Sequence, residues 1–249
     1  MPYEILATSM TPALIIYLID VSASMNRPLG QARRIDVVTD ALAAAVQRMV
    51  FLSTKGRTVA ARYRVAMYAY SDKVYDVLDG VHTIDEVAAK GVPKIGTMRT
   101  TETARAFRQS LRILEQELPG MTEHPAPVVC HLTDGEYTGE DPRPTVQKIK
   151  QMSVPDGHVL VENIFISDQI LTAPVDELRQ WKGVLPDTPL ATEYARMLRD
   201  MSSPLPESYR DLILEMGCGI AQGALMMIPG TSRDLVELGF QMSSGTRVL

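Results

Sequence analysis

Two segments constrain this chain more than any others: Ala13–Asp20 (ALIIYLID) and Pro127–Asp134 (PVVCHLTD). Each is an unbroken apolar run rich in β-branched residues, and each ends in a carboxylate. A strand with one wet face alternates polar and apolar positions. A strand without alternation is covered on both faces, which is the condition of a parallel sheet between helical layers. Further strand patterns occupy Arg64–Tyr70, Val74–Leu78, Val159–Ser167 and Ala224–Ile228. The turn at Ser71 and Asp72 is short enough for a hairpin, so Val74–Leu78 is expected to run antiparallel. Helical spacing appears in Arg33–Ser53, where Ile35, Val38, Leu42, Val46, Met49 and Val50 share a face, and again in Thr103–Leu118, Thr145–Met152 and Ser232–Met242. Strands alternating with helices predict an α/β fold, a Rossmann-like doubly wound sheet with helices on both faces. Residues 168–223 break the rhythm. Five prolines interrupt them, and helical patterns return only around Leu190–Met201 and Glu207–Met216. The chain therefore reads as a single domain over 1–249, with a helical insertion over 168–223.

Composition narrows the function classes. With 249 residues, 45% of them apolar, the chain can bury a core without disulfide or metal staples. Its net charge of −5 argues against a dedicated nucleic-acid binder, which carries an excess of positive charge. The densest basic stretch, Lys55, Arg57, Arg62 and Arg64, reads as a solvated loop ahead of a strand. Cys130 and Cys218 fit no zinc or redox spacing. The start of the chain shows no signal-peptide pattern. The longest apolar run, Ala13–Ile19, is too short to span a bilayer. A cytoplasmic protein without membrane association is expected, and its Ala- and Arg-rich helices suggest a bacterial source.

In doubly wound sheets ligands bind outside the carboxyl ends of the strands, where strand order reverses. Three polar motifs stand at such ends. Asp20-Val21-Ser22-Ala23-Ser24 places a carboxylate and two hydroxyls at alternate positions, and hard cations such as Mg²⁺ take oxygen ligands of this kind. Helix capping by Ser22 or Ser24 is the competing reading. Thr133-Asp134-Gly135-Glu136 ends the second run. There the competing reading is a turn, with Asp134 bonded to local amides. Gly96–Ala104 is a hydroxyl-rich loop opening a helix, in which Thr101 or Thr103 can serve as the N-cap.

Taken together, and in this order, the motifs resemble the metal-ion-dependent adhesion site of the von Willebrand factor type A domains. The resemblance rests on Asp20, Ser22 and Ser24, on Thr101 within Thr101-Glu102-Thr103 (with Thr100 as the alternative if the register shifts by one), and on Asp134 within LTDGE. It runs from about Ala13 to Ser167 and resumes over Ala224–Ser243. It implies a six-stranded, mostly parallel sheet in the order 3-2-1-4-5-6, and one Mg²⁺ or Mn²⁺ held by Asp20, Ser22, Ser24, Thr101 and Asp134. It also implies a non-enzymatic binding role, with a partner protein presenting an Asp or Glu to the ion; with no signal-peptide or disulfide pattern in the sequence, the member expected is an intracellular adaptor. The insertion over 168–223 departs from compact members, and Trp181 and the turn Ser202–Pro206 offer a partner surface or ordinary packing.

An enzyme of the Mg²⁺-dependent phosphohydrolase class is the alternative. Haloacid dehalogenase-like enzymes also place an aspartate after a first buried strand, which would make Asp20 a nucleophile. Those enzymes need an acid two residues further on, where this chain has Ser22. Asp134 is expected to lie outside the core, so that Asp134→Ala would leave stability within about 1 kcal/mol of wild type.

Overall fold

The computed structural model describes residues 2–91, 96–97, 102–167, 170–175 and 177–249. Its centre is a sheet whose principal strands are β1 (Ala13–Asp20), β2 (Tyr63–Tyr70), β3 (Val74–Asp76), β4 (Val128–Thr133), β5 (Leu160–Phe165) and β6 (Met227–Pro229). They lie in the order β6-β5-β4-β1-β2-β3. All neighbours are parallel except β3, which runs antiparallel to β2. This is the expected order with the expected antiparallel edge. One short addition was not anticipated: His82–Thr83 also pairs antiparallel with β2, next to Arg64 and Val65.

The helices are α1 (Arg34–Ser53), α2 (Ile84–Lys90), α3 (Thr103–Glu117), α4 (Arg143–Gln151), α5 (Glu193–Met201), α6 (Glu207–Glu215) and α7 (Arg233–Ser243). β1 shows why its sequence is apolar throughout. Leu14, Ile16 and Leu18 enter a buried cluster with Phe107 and Leu114 of α3 and with Val146 and Ile149 of α4. Ile15, Tyr17 and Ile19 face the other way, among Ile35, Leu42 and Val46 of α1 and Leu235 and Phe240 of α7. The pleat sends alternate side chains to opposite layers, and both layers are dry.

The short helix α2 has no counterpart in the sequence reading. Seven residues give too little periodicity to detect, but a capping box is present: Thr83 and Glu86 satisfy each other's backbone donors.

The insertion packs on both layers. Tyr194, Leu198 and Met201 join the cluster on the α3 and α4 side, while Leu205, Tyr209 and Ile213 join the opposite one. Between them, Ser203 donates its N–H to the Val161 carbonyl (2.8 Å) and accepts from the Met226 N–H (2.8 Å). Ser202, Ser203, Leu205 and Pro206 are consequently buried, and Trp181, half-buried, touches both clusters. The packing alternative describes Ser202, Ser203, Leu205 and Pro206, while Trp181 keeps a partly exposed face and Pro204 is exposed. A chain segment that must satisfy its backbone donors beside a sheet edge is drawn into that edge.

Candidate functional site

The register of the two central strands builds the site. Ile19 pairs with Leu132, so Asp20 comes level with Thr133, and Asp134 stands one residue beyond. The chain leaves β1 toward β2 on one side while β4 lies on the other, so strand order reverses between β1 and β4, the point at which doubly wound sheets form their ligand crevice. After Asp20, the Val21 N–H still bonds the Tyr70 carbonyl (3.0 Å). The chain then turns through a single 3-10 turn, Ala23–Asn26, which carries Ser22 and Ser24 across the end of β4.

Asp20 is completely buried. Its Oδ1 accepts the Ser22 N–H at 2.8 Å, and its Oδ2 accepts from the Thr133 hydroxyl at 2.8 Å. Burial pushes its carboxyl up to about 6, against the downward pull of those hydrogen bonds and with a further upward push from Asp134. The hydroxyls form a chain. Ser24 Oγ donates to Asp134 Oδ1 at 2.6 Å, and Ser22 Oγ lies 2.9 Å from Ser24 Oγ. Ser24 has only one proton, which goes to Asp134, so Ser22 is the donor to Ser24.

Neither competing reading describes these side chains. The residue flanking the 3-10 turn, Ser22, makes no side-chain cap. Asp134 sends its carboxylate to Ser24 and Arg34 rather than to local amides. Thr133 serves the local turn instead, accepting the Gly135 N–H at 3.3 Å.

Arg34 is the residue the sequence reading missed. Its Nη1 donates to Asp134 Oδ2 at 2.9 Å, and both side chains are almost fully buried. A small hairpin aims it. Pro28–Leu29 pairs with Ala32–Arg33, and Gly30 takes the positive φ (62°) that such a tight turn requires. The Arg34 N–H then bonds the Arg27 carbonyl at 2.9 Å as α1 begins. One sequence signal was available: an arginine in the first turn of a helix opposes the helix dipole.

Thr101, and its alternative Thr100, lie outside the described residues. The residues flanking them are tied to the crevice. Asn26 Nδ2 donates to Thr97 Oγ1 at 2.8 Å, and the Glu102 N–H donates to the Ser71 carbonyl at 2.7 Å. The N-cap of α3 is Glu102, with no side-chain cap. The capping alternative for Thr101 or Thr103 is therefore corrected, and Thr103 is a buried first-turn residue.

The donor set suits a hard cation. Ligands 2.0–2.1 Å from Mg²⁺ in an octahedron are separated from their neighbours by about 2.9 Å. The spacings Ser22 Oγ–Ser24 Oγ (2.9 Å) and Ser24 Oγ–Asp134 Oδ1 (2.6 Å) are close to such edges. Among the described residues, no three His, Cys, Asp or Glu side chains converge on one point. An ion here would thus rest on two acids and neutral hydroxyls.

Residues 15–136 match the model of a family described as von Willebrand factor type A domain. No curated protein matches the chain. Among solved structures, BatB from Bacteroides thetaiotaomicron is similar with a TM-score of 0.51 at 15% identity, over 94% of this chain and 98% of that one. A D319A mutant of the minor pilin PilB from Streptococcus sanguinis gives 0.53 at 10% identity, over 92% and 60%. Proximal thread matrix protein 1 from the mussel byssus gives 0.51 at 13% identity, over 97% and 48%. The chain thus spans about half the length of the byssus protein and nearly all of BatB. At these identities the likeness establishes the fold.

Proposed function

We propose that the chain is a von Willebrand factor type A module whose strand-end crevice holds one Mg²⁺ or Mn²⁺, and that a partner protein binds through an Asp or Glu presented to that ion. The observation that carries this reading is the unbroken run of oxygens from Ser22 through Ser24 to Asp134, spaced like the edges of a cation's coordination shell. Ser22, Ser24 and Thr101 would supply neutral oxygens. Asp20 and Asp134 would supply charge, directly or through water. Bound there, the ion offers a position that an incoming carboxylate can fill. The protein's own part is orientation. Thr133 and the Ser22 amide hold Asp20, and Ser24 holds one oxygen of Asp134.

Binding is favoured over hydrolysis by the residues around Asp20. Its oxygens are held by the Ser22 amide and the Thr133 hydroxyl, and neither is a general base that would serve a nucleophile. The position two residues on, where a haloacid dehalogenase-like enzyme needs an acid, is Ser22. The proposal includes a cytoplasmic setting, supported by two buried free thiols, Cys130 and Cys218. It includes neither nucleic acid nor membrane as partner. The net charge is −5, and among the described residues no helix is long and apolar enough to cross a bilayer.

Titration calorimetry with Mn²⁺ and Mg²⁺, with and without acetate as carboxylate probe, tests the reading. Wild type is expected to bind one ion, more tightly with acetate, and to gain about 1.4 kcal/mol of stability at tenfold excess over Kd. Ser22→Ala and Ser24→Ala should weaken binding while leaving the circular dichroism spectrum unchanged. A wild-type protein that takes up neither ion under either condition would sink the metal bridge.

A further inference from the structure

We propose that Arg34 is a resident counter-ion of the crevice: it competes with the divalent ion for Asp134 and leaves the loaded site short of one negative charge, so that Arg34 makes the site select a carboxylate ligand. The proposal rests on the metal reading above for the identity of the second cation.

Three observations single out Arg34. First, its guanidinium sits on Asp134 Oδ2 at 2.9 Å, with side-chain exposures of 8% and 0%. The carboxylate is thus divided, with Oδ2 facing a protein cation and Oδ1 facing the hydroxyl chain. Second, the Arg34 Nε is buried and has no hydrogen-bond partner among the described residues. A buried donor without an acceptor costs stability, and among the described residues the guanidinium's hydrogen bond is the one to Asp134. Third, Arg34 opens α1, the end of a helix where a positive charge is unfavourable. Its neighbour Arg33 shows the ordinary arrangement: it lies in solvent and pairs with Asp36 of the first turn at 2.7 Å.

Charge counting gives the consequence. Asp20 and Asp134, when ionised, would by themselves neutralise a divalent ion. With Arg34 present the loaded crevice carries one excess positive charge, and a single carboxylate from a partner cancels it. Arg34 and Asp134 are almost fully buried, so such an imbalance is felt strongly. Arg34 therefore weakens the hold on the metal and strengthens the hold on the acid.

The two effects have opposite signs, which makes them separable. Mn²⁺ affinity, and acetate affinity of the Mn²⁺-loaded protein, would be measured for wild type, Arg34→Gln and Arg34→Lys. Glutamine retains a hydrogen-bond donor without charge, and lysine retains the charge. Arg34→Gln is expected to bind Mn²⁺ at least about tenfold tighter and acetate at least about tenfold more weakly, with Arg34→Lys close to wild type. Unchanged or weaker Mn²⁺ binding by Arg34→Gln, unchanged acetate binding, or a lysine variant that behaves like glutamine overturns the proposal and leaves the metal site standing. Mn²⁺ binding by Arg34→Gln but not by wild type upholds the competition and removes the wild-type metal bridge. No binding by either protein removes both. If Arg34→Gln does not fold without metal, refolding by Mn²⁺ supports the competition, and failure of Mn²⁺ to refold it counts against it.

Discussion

At the scale of single residues, Asp134 is where sequence and structure part most sharply. Its place after a strand suggests an acid at the rim, removable at little cost. In the structure its carboxylate is buried and paired with the equally buried Arg34. Taking one member from such a pair strands the other charge in a poor solvent, which costs roughly 3–5 kcal/mol. We therefore expect Asp134→Ala to be destabilised by about 3 kcal/mol in urea titrations without metal, and not by the ~1 kcal/mol of a surface change. The double variant Asp134→Ala/Arg34→Met should recover much of the loss, because no charge is left unpaired. If the single and double variants are equally unstable, or the single variant matches wild type, the pair does not carry this energy. Asp20, Ser22, Ser24 and Asp134 were legible because their chemistry is written in local spacing beside strand ends. Arg34 was not, since its contact with Asp134 spans 100 positions and depends on how a hairpin aims the first turn of α1.

At the scale of elements, a buried polar chain links three strands to the insertion. Tyr70 of β2 lies 2.7 Å from His131 Nε2, and His131 Nδ1 lies 2.8 Å from Asn163 Oδ1 on β5. Asn163 Nδ2 donates to Ser202 Oγ at 2.9 Å, just past α5. The directions follow from the ends. The oxygen of Asn163 can only accept, so His131 carries its proton on Nδ1 and receives the Tyr70 hydroxyl on Nε2. This is a neutral imidazole, and burial lowers its pKa to about 4. An unfolded histidine titrates near 6.5. Between those values the unfolded chain binds the extra proton, so stability is complete above about pH 6.5 and declines as the pH falls toward 4. The shift is of the order of 3 kcal/mol. Between pH 7 and pH 4 the unfolding free energy of wild type should fall by about that amount more than that of His131→Gln. Parallel profiles would mean that His131 is already charged in the fold or is not the group responsible.

At the scale of the whole molecule, the question is what the insertion is for. Its helices bury apolar residues in both layers. Val184 and Pro204 both form bridges with Leu225, two residues before β6. We propose that 168–223 folds with the sheet as one unit, and calorimetry should then show a single cooperative transition. Replacing the insertion by a short linker between β5 and β6 should expose both layers and yield protein that aggregates or binds hydrophobic dye. A well-folded protein lacking the insertion would make it an accessory and favour the partner-surface alternative for Trp181.

The sequence by itself determined the sheet, its order through the resemblance it carries, and four members of the crevice. These follow from short-range rules: alternation and its absence, helical spacing, and oxygen-bearing side chains at the ends of buried runs. Elements too short for a period to show were left to the structure, among them α2, the strand His82–Thr83 and the hairpin that aims Arg34. So were all properties that depend on which distant group faces which. Spacing shows that Ser22, Ser24 and Asp134 can be neighbours. Only the paired strands and the packed helix decide that one oxygen of Asp134 is given to a hydroxyl chain and the other to a buried arginine. Burial and charge pairing are sums over surroundings drawn from the whole chain, and no local window of sequence contains those surroundings.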